Sequence, residues 1–454
     1  MIGFRTKKWK RQAVSISRVM ALTFLGLILL GALLLDLPAA SRNGRSAGLL
    51  VSLFTATSAT CVTGLTLADT WTQWSLFGQA VILILIEIGG LGFMSAASLA
   101  YFSLRRRISI QQQLVMAEAI GAQNMGEVVE HQKKLLVRAF CIEGAGALLL
   151  TLRFSAEYPF AKALWLGVFH AVSAFCNAGF DILGFRAPGT SLMIYQRDPI
   201  VCLTLCGLII LGSLGFLVWD EILRKRKPSG WNVYTRLVVI ATAALLLTGT
   251  LLFLLLEWNN PATLGPLSVP EKMLAAFFQS TTLRTAGFAA LDQGMLTQAG
   301  KASSIFLMLI GGSSGSTAGG LKTVTFVVLL MFLWNRMRGS HTVSVFHRTI
   351  SDNYVLNAIT LFILMISLAF FGAIVICATS PFAFTDALFE SVSAIGTVGL
   401  SSGGTVRMSL AAKLLIILLM YFGRVGVLTL SVGFLKKKPA GEKYRYANTD
   451  LLIG

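Results

Sequence analysis

Charge is scarce in this chain, and negative charge scarcer still: 20 Asp and Glu stand against 38 Lys and Arg, and charged residues fill only 13% of 454 positions. The four histidines are scattered, and the six cysteines (Cys61, Cys141, Cys176, Cys202, Cys206, Cys377) lie in or beside apolar segments with no C-x-x-C pair. That pattern argues against a disulfide framework and against a clustered metal site. No nucleophile–base pair or carboxylate dyad converges in the sequence, which disfavours a membrane enzyme. The stretch GGSSGSTAGGLK superficially suggests a phosphate loop, yet it lacks the GxxxxGK[ST] spacing. A net charge of +18 raises the question of nucleic acid, but no solvated basic domain carries it. Nucleic acid is not an expected partner.

What remains is apolar: 55% of the residues are hydrophobic and the mean hydropathy is +0.74. Runs long enough to span a bilayer, about 20 residues each, recur along the chain. The basic start MIGFRTKKWKRQAV leads into such a run and is read as a retained first helix rather than a cleaved signal. One frame, F-x3-[ST]-x5-G-[LF], occurs four times: Phe54/Ser58/Gly64, Phe169/Ser173/Gly179, Phe277/Thr281/Gly287 and Phe389/Ser393/Gly399. Its glycines are 115, 108 and 112 residues apart. Four copies in register predict a fold-level repeat and a four-fold pore in one chain.

Each frame sits at the end of a short apolar piece between two longer spans. The pieces at 47–58, 162–173, 270–281 and 383–393 are too short to cross and are expected to be re-entrant. The spans are expected at 17–37 and 77–103, 135–153 and 199–220, 233–256 and 302–334, and 354–378 and 410–434. Irregular backbone after each short helix is tolerated at membrane depth only where it lines water or is buried in protein. The expected fold is therefore an all-α membrane protein of four tandem helix–pore helix–filter–helix repeats. It has eight transmembrane helices and four re-entrant pore helices around a pseudo-four-fold pore. The repeats cover 1–103, 135–220, 233–340 (with an intramembrane loop at 311–320) and 354–434. Linkers at 104–134, 221–232 and 341–353 and a tail at 435–454 complete the chain. The polar linker at 104–134 reads equally as a surface-lying amphipathic helix or a docking segment. Segments on the side of the termini hold 26 of the 38 Lys and Arg, so both termini are expected in the cytoplasm.

A path for a dehydrated cation needs backbone carbonyls aimed at one axis, and glycine lets loops approach it closely. The hydroxyl six residues before each glycine is placed to tie its loop. The pore-helix C-termini add partial negative charge below. A second pattern, G-x-x-G, follows at Gly89/Gly92, Gly212/Gly215, Gly312/Gly315 and Gly423/Gly426. Three copies read as close helix packing. The third lies in IGGSSGSTAGGLK, which divides an apolar stretch and reads as a gate loop, with a kinked helix as the alternative. Arg424, inside the last G-x-x-G, is expected to hold carbonyls of that loop. Glu87 is expected to pair with a base, tune ion occupancy or reach the interface. Arg284 is expected behind the third loop, against Asp292 or a helix end.

Together SAFCNAGFD, TTLRTAGF, SAIGTVGLSSGG and GGSSGSTAGGLK resemble the Trk/Ktr/HKT superfamily of cation transporters, and Thr397-Val398-Gly399 is similar to the start of a potassium-channel TVGYG filter. With the first repeat near the start of the chain, the closer resemblance is to the Ktr-system membrane subunit (KtrB). The resemblance implies a filter at Val62-Thr63-Gly64, Asn177-Ala178-Gly179, Thr285-Ala286-Gly287 and Thr397-Val398-Gly399, with potassium as the only metal ion. It implies a gate at Gly311, Gly312, Ser313, Ser314, Gly315, Ser316, Thr317, Ala318, Gly319 and Gly320, with Arg424 beside it. Further implications are a homodimer in a bacterial plasma membrane, a cytoplasmic ring of RCK-type nucleotide-binding subunits, and sodium as an activator. In the plant branch a serine at the first filter glycine goes with sodium selectivity, so Gly64 points to potassium. A sodium or mixed-cation transporter of the same superfamily is the alternative. A carrier with alternating access is disfavoured because the four repeats run parallel rather than inverted.

Overall fold

In the computed structural model, residues 16–92, 128–225, 227–340, 342–346 and 348–426 are described. The basic N-terminal segment, most of the 104–134 linker and the tail at 435–454 lie outside them. The described chain is helical apart from one two-stranded hairpin, Ser344–Val345 with Arg348–Thr349.

Four stretches share an element order. In the first, α1 (Ile16–Asp36) precedes the short α2 (Leu49–Thr60); a single-turn α3 (Thr70–Gln73) and α4 (Leu76–Leu91) follow. In the second, α5 (Val128–Ser155) precedes α6 (Phe160–Phe175), then α7 (Pro199–Leu214) and α8 (Phe216–Arg224). The third holds α9 (Val233–Glu257), α10 (Val269–Thr282), α11 (Gln298–Met308) and α12 (Thr323–Met337). The fourth holds α13 (Asp352–Thr379), α14 (Phe384–Ile395) and α15 (Leu410–Val425). Each short helix packs on the long helix before it.

Local chemistry sets several of these starts. Asp198 accepts from the amides of Ile200 and Val201 ahead of Pro199, where proline's missing N–H costs nothing. Ser268 and Glu271 form a reciprocal capping box on α10, and Ser75 and Ser409 cap α4 and α15.

Polarity is arranged inside out. Large apolar side chains face outward along the long helices, Leu255 being 79% exposed, while Ser52, Thr57, Gln79, Glu143, Glu257, Gln279 and Glu390 are buried. A surface of this kind is stable only against lipid. Lys133–Ser155, Val233–Glu257 and Asp352–Thr379 are each long and apolar enough to cross a bilayer among the described residues. Two expected spans are broken. The one at 199–220 bends by 95° between α7 and α8, because Gly215 adopts φ +88°. The one at 302–334 is divided by the non-helical residues 309–322. The span expected at 77–103 is described only to Gly92.

The core is shared across the stretches. One apolar cluster joins the first and second and also takes in Phe278, Ala286 and Phe288; the other joins the third and fourth and takes in Ile28, Phe54 and Leu65. Half-buried polar ties hold the helix ends: Lys301 Nζ pairs with Asp386 Oδ1 at 2.8 Å and Arg153 Nε with Asp198 Oδ2 at 2.5 Å. Glu257, fully buried, accepts from Asn260 Nδ2 at 2.6 Å, Thr263 Oγ1 at 2.9 Å, Thr297 N at 2.9 Å and Thr297 Oγ1 at 2.6 Å. Glu257→Ala strands those donors and is expected to destabilise the purified protein by about 3 kcal/mol. Denaturant titration in detergent checks this, and an unchanged midpoint would show that the hub is not needed.

Candidate functional site

The four short helices end in the same backbone sequence of conformations. Two residues before each frame glycine the chain turns left-handed: Val62 at φ +55°, Asn177 at +59°, Thr285 at +62° and Thr397 at +52°. The glycines are left-handed too, Gly64 at +97°, Gly179 at +69°, Gly287 at +80° and Gly399 at +92°. Three of the four non-glycine residues are β-branched, for which this region is a genuine outlier. Each such residue costs on the order of 1–3 kcal/mol and persists only when its surroundings enforce it.

Those surroundings are the other three loops. A Cβ added to Gly64 would lie 2.6 Å from Ala178 O, one on Gly179 2.7 Å from Ala286 O, and one on Gly287 2.6 Å from Val398 O. One on Gly399 would collide with Thr63 O and lie 2.9 Å from the Gly64 Cα. The contacts run 64 to 178, 179 to 286, 287 to 398 and 399 back to 63, so the loops close a ring. The carbonyls of Thr63, Ala178, Ala286 and Val398 each face the neighbouring loop's glycine. All twelve residues of the four triplets except Gly64 are buried.

Hydroxyls tie the loops to their helices, in two ways. Ser58 Oγ accepts from Gly64 N at 3.0 Å, and Ser393 Oγ accepts from Gly399 N at 3.1 Å. Ser173 Oγ instead donates to Phe180 O at 2.7 Å. The frame assigns this role to Thr281 in the third loop, but Thr281 Oγ1 donates to Phe277 O within its own helix, and Thr282 Oγ1 takes the tie to Phe288 O at 2.7 Å.

Outside the ring lies a cavity of about 250 Å³ lined by all four glycines, with Asp69 and Asp181 in its wall. Asp69 accepts from Thr72 N at 2.9 Å and Gly189 N at 3.1 Å. Two carboxylates at a narrow mouth concentrate cations. Glu390, fully buried on α14, accepts from Ser401 Oγ and Thr405 Oγ1, both at 2.6 Å, and from Ser402 N at 3.0 Å, bracing the outer part of the fourth loop. No repeat or spacing in the sequence marks Asp69 or Glu390. Asp181 had a signal, standing directly after Phe180 of the frame.

On the other side of the ring lies residues 311–320. They are not helical, so the kinked-helix alternative fails. A parallel bridge between Ile310 and Leu321 draws the ends together, with Gly311 N donating to Leu321 O at 2.8 Å and Thr323 N to Gly312 O at 2.9 Å. The loop then leans on the second stretch: Ser313 N donates to Ser213 O at 2.9 Å, Thr317 Oγ1 to Phe175 O at 3.0 Å, and Phe216 N to Gly315 O at 3.0 Å. Tyr234 Oη donates to Ser314 O and Lys322 Nζ to Ala318 O. A Cβ on Gly319 would strike the Thr397 side chain, and one on Gly320 would lie 3.1 Å from Gly396 O. Arg424 spans the remaining gap, donating to Thr317 O, Gly89 O and, at 3.1 Å, Gly90 O.

The G-x-x-G copies do more than pack helices. Gly89, Gly212 and Gly423 lie so close to Thr60 O, Phe175 O and Ile395 O that a Cβ on any of them would collide. The second glycines are all left-handed, Gly92 at φ +84°, Gly215 at +88°, Gly315 at +73° and Gly426 at +89°. Gly92, Gly215 and Gly426 each end a helix, and Gly315 turns the chain within the 309–322 segment.

Two charged residues depart from expectation. Arg284 turns behind the third loop, but toward Gly311 O, Thr323 Oγ1 and Thr242 O rather than Asp292. Among the described residues Glu87 meets no base. Cys176 Sγ donates to Glu87 Oε2 at 3.5 Å and lies 3.9 Å from Glu143 Oε1. The ligand atoms of these three residues fall within 4.8 Å of one another, the one group of metal-ligand type among the described residues. Glu143 was legible only as a lone charge in an apolar span.

The chain matches the family described as "TrkH: Cation transport protein" over residues 4–446. It is 40% identical to the potassium/sodium uptake protein NtpJ of Enterococcus hirae, covering 99% of each chain. Identity to the Ktr system potassium uptake protein B of Bacillus subtilis is 36% over 96% of each chain. For the protein of that name from Vibrio alginolyticus it is 37%, over 94% of this chain and 93% of that one. The fold superposes on the crystal structure of the potassium transporter TrkH from Vibrio parahaemolyticus with a TM-score of 0.71, covering 95% of this chain and 86% of that one at 18% identity.

The two threonines of the third loop separate what the frame suggests from what the packing uses. Thr282→Val is expected to cost about 1–2 kcal/mol, because it leaves Phe288 O without its buried donor, and Thr281→Val clearly less. Unfolding midpoints of the two variants read this directly; the reverse order would restore the frame's assignment.

Proposed function

Because the chain belongs to the TrkH family of cation transport proteins, we propose that this integral membrane protein takes up potassium through a gated, channel-like pore driven by the membrane potential. In this reading the four stretches are helix–pore helix–filter–helix repeats around one pseudo-four-fold axis. The triplets Val62–Gly64, Asn177–Gly179, Thr285–Gly287 and Thr397–Gly399 are its filter, and residues 311–320 with Arg424 are its gate. The observation that carries it is the closed ring of loop glycines and facing carbonyls. Carbonyl oxygens replace a cation's hydration shell without a formal charge in the path. One charge moved through 100 mV gains about 2.3 kcal/mol, so accumulation needs no catalytic chemistry.

The loop at 311–320 supports a gate because it packs directly against Thr397 and Gly396 on one side of the ring, while the Asp69 and Asp181 cavity opens on the other. With the Lys- and Arg-rich segments in the cytoplasm, that cavity faces outward and the gate inward. The protein then sits in a bacterial plasma membrane with both termini inside. Relatives named for the Ktr system support a partner subunit. We assign that role to a cytoplasmic ring of RCK-type nucleotide-binding subunits on a homodimer, with sodium as activator. A mixed potassium and sodium importer is the second reading, favoured by the potassium/sodium relative.

Three outcomes follow. Expression in a strain lacking its own potassium importers restores growth at low potassium; no rescue by a protein that reaches the membrane counts against transport of this ion. Gly64→Ser weakens discrimination of potassium over sodium by about tenfold, since the added side chain has to displace Ala178 O, and each tenfold corresponds to about 1.4 kcal/mol. Unchanged selectivity would remove Gly64 from the filter. Deleting residues 312–319 raises flux several-fold and blunts regulation by the partner; low flux through a folded deletion variant would refute the gate.

A further inference from the structure

Arg284 is a guanidinium 4% exposed, at the end of α10 and one residue before the left-handed Thr285. Among the described residues no carboxylate answers it and its Nε is without a partner. A buried arginine at membrane depth is costly and persists where it is used. Its other donors reach the neck of the 311–320 loop and α9. Nη2 donates to Gly311 O at 3.2 Å and to Thr323 Oγ1 at 3.0 Å, while Nη1 reaches Thr242 O at 3.4 Å.

Gly311 and Thr323 are the two sides of the neck from which the 311–320 loop emerges, and Thr323 Oγ1 itself donates to Gly311 O at 2.8 Å. Arg284 therefore grips both strands of the neck at once. Its main chain, at the other end of the same residue, belongs to the third loop of the ring, where Arg284 O accepts from Asn177 Nδ2 of the second loop at 3.3 Å. At loops one and four the corresponding places are filled by Cys61 and Gly396, and loop four meets the segment by backbone contact, Gly320 lying against Gly396 O and Gly319 against Thr397. A displacement of the neck reaches loop three through the Arg284 side chain, and loop two next through Asn177.

We infer that Arg284 is a positioning residue that couples the ion preference of the ring to the placement of the intramembrane loop. This rests on the reading of the ring as filter and of 311–320 as gate. A neck that moves when the loop withdraws carries Gly311 O and Thr323 Oγ1 away from the guanidinium. The left-handed Thr285, held at φ +62°, then loses one of the groups that enforce it.

The test is a two-by-two comparison of wild type, Arg284→Gln, deletion of residues 312–319 and the double variant, none of which removes Gly311 or Thr323. The readouts are the potassium/sodium uptake ratio and the maximal uptake rate. Deletion alone is expected to shift the ratio at least about threefold, and in the Arg284→Gln background that shift falls to half or less, the signature of an interaction between coupled sites. The same shift in both backgrounds, or no shift in the wild-type background, overturns the coupling. A merely structural arginine lowers rate and stability yet leaves the shift intact. Rate alone judges the gate: a deletion that leaves it low counts against the gate reading, whatever the ratio does. If Arg284→Gln fails to reach the membrane, Thr323→Val, which removes one acceptor and keeps the charge, is expected to halve the shift or more; an undiminished shift there again overturns the proposal.

Discussion

The structure turns on one steric requirement: four peptide carbonyls must reach the Cα atoms of four neighbouring glycines at once. Thr63 O, Ala178 O, Ala286 O and Val398 O each occupy the space a Cβ would need. Only glycine satisfies this, and only with its backbone left-handed. The strain at Val62, Asn177, Thr285 and Thr397 is then a consequence, since a loop that places its carbonyl inward and its glycine against the next loop has few conformations left. The strain is held by burial on every side and by the hydroxyl ties of Ser58, Ser173, Thr282 and Ser393.

Outward from the ring the same economy recurs. Gly89, Gly212 and Gly423 let the following helices press on Thr60 O, Phe175 O and Ile395 O, the carbonyls four residues before each ring glycine. The third stretch has no such contact at Leu283. Its glycine, Gly312, lies instead against Ser213 O and Ala318. What the third stretch gives up in packing it returns as a loop, and Arg284 fills the place behind the ring that a helix occupies in the others. The departure from four-fold regularity is thus local and has a physical form: one helix is replaced by a buried loop whose amides and carbonyls are satisfied by its neighbours.

Much of this was legible because it depends on residue type at fixed spacing. Phe, hydroxyl and glycine in register marked the loops, and a run of glycine and serine in an apolar span marked the break at 309–322. Spacing failed where the structure chooses between adjacent equivalents: Thr281 fits the frame, yet Thr282 faces Phe288 O. It failed again where one residue type serves two ends. A G-x-x-G reads as close packing, and nothing in the letters shows that its second glycine will turn the chain by 95° at Gly215. Contacts between distant segments are invisible in the sequence, which is why Glu87 reads equally as pairing with a base, tuning ion occupancy or reaching the interface, and nothing there brings it beside Cys176 and Glu143.

The electrostatics of the loop follow from what holds it. Arg424, Lys322 and Arg284 all donate to its carbonyls or neck, and among the described residues no carboxylate shares that work. Carbonyl dipoles offset a buried cation less completely than a carboxylate does, so positive potential is left over beside the ring. In the proposed gate, a cation passing the loop meets that potential as a barrier, whereas withdrawing the loop removes acceptors that the guanidiniums must replace with water. The two costs oppose each other. A loop held by hydrogen bonds to charged donors, each worth about 1.5–3 kcal/mol, is secured firmly enough to rest in place. Under the proposed gating, a partner that inverts a 99:1 preference for this placement needs about 5.5 kcal/mol of differential affinity.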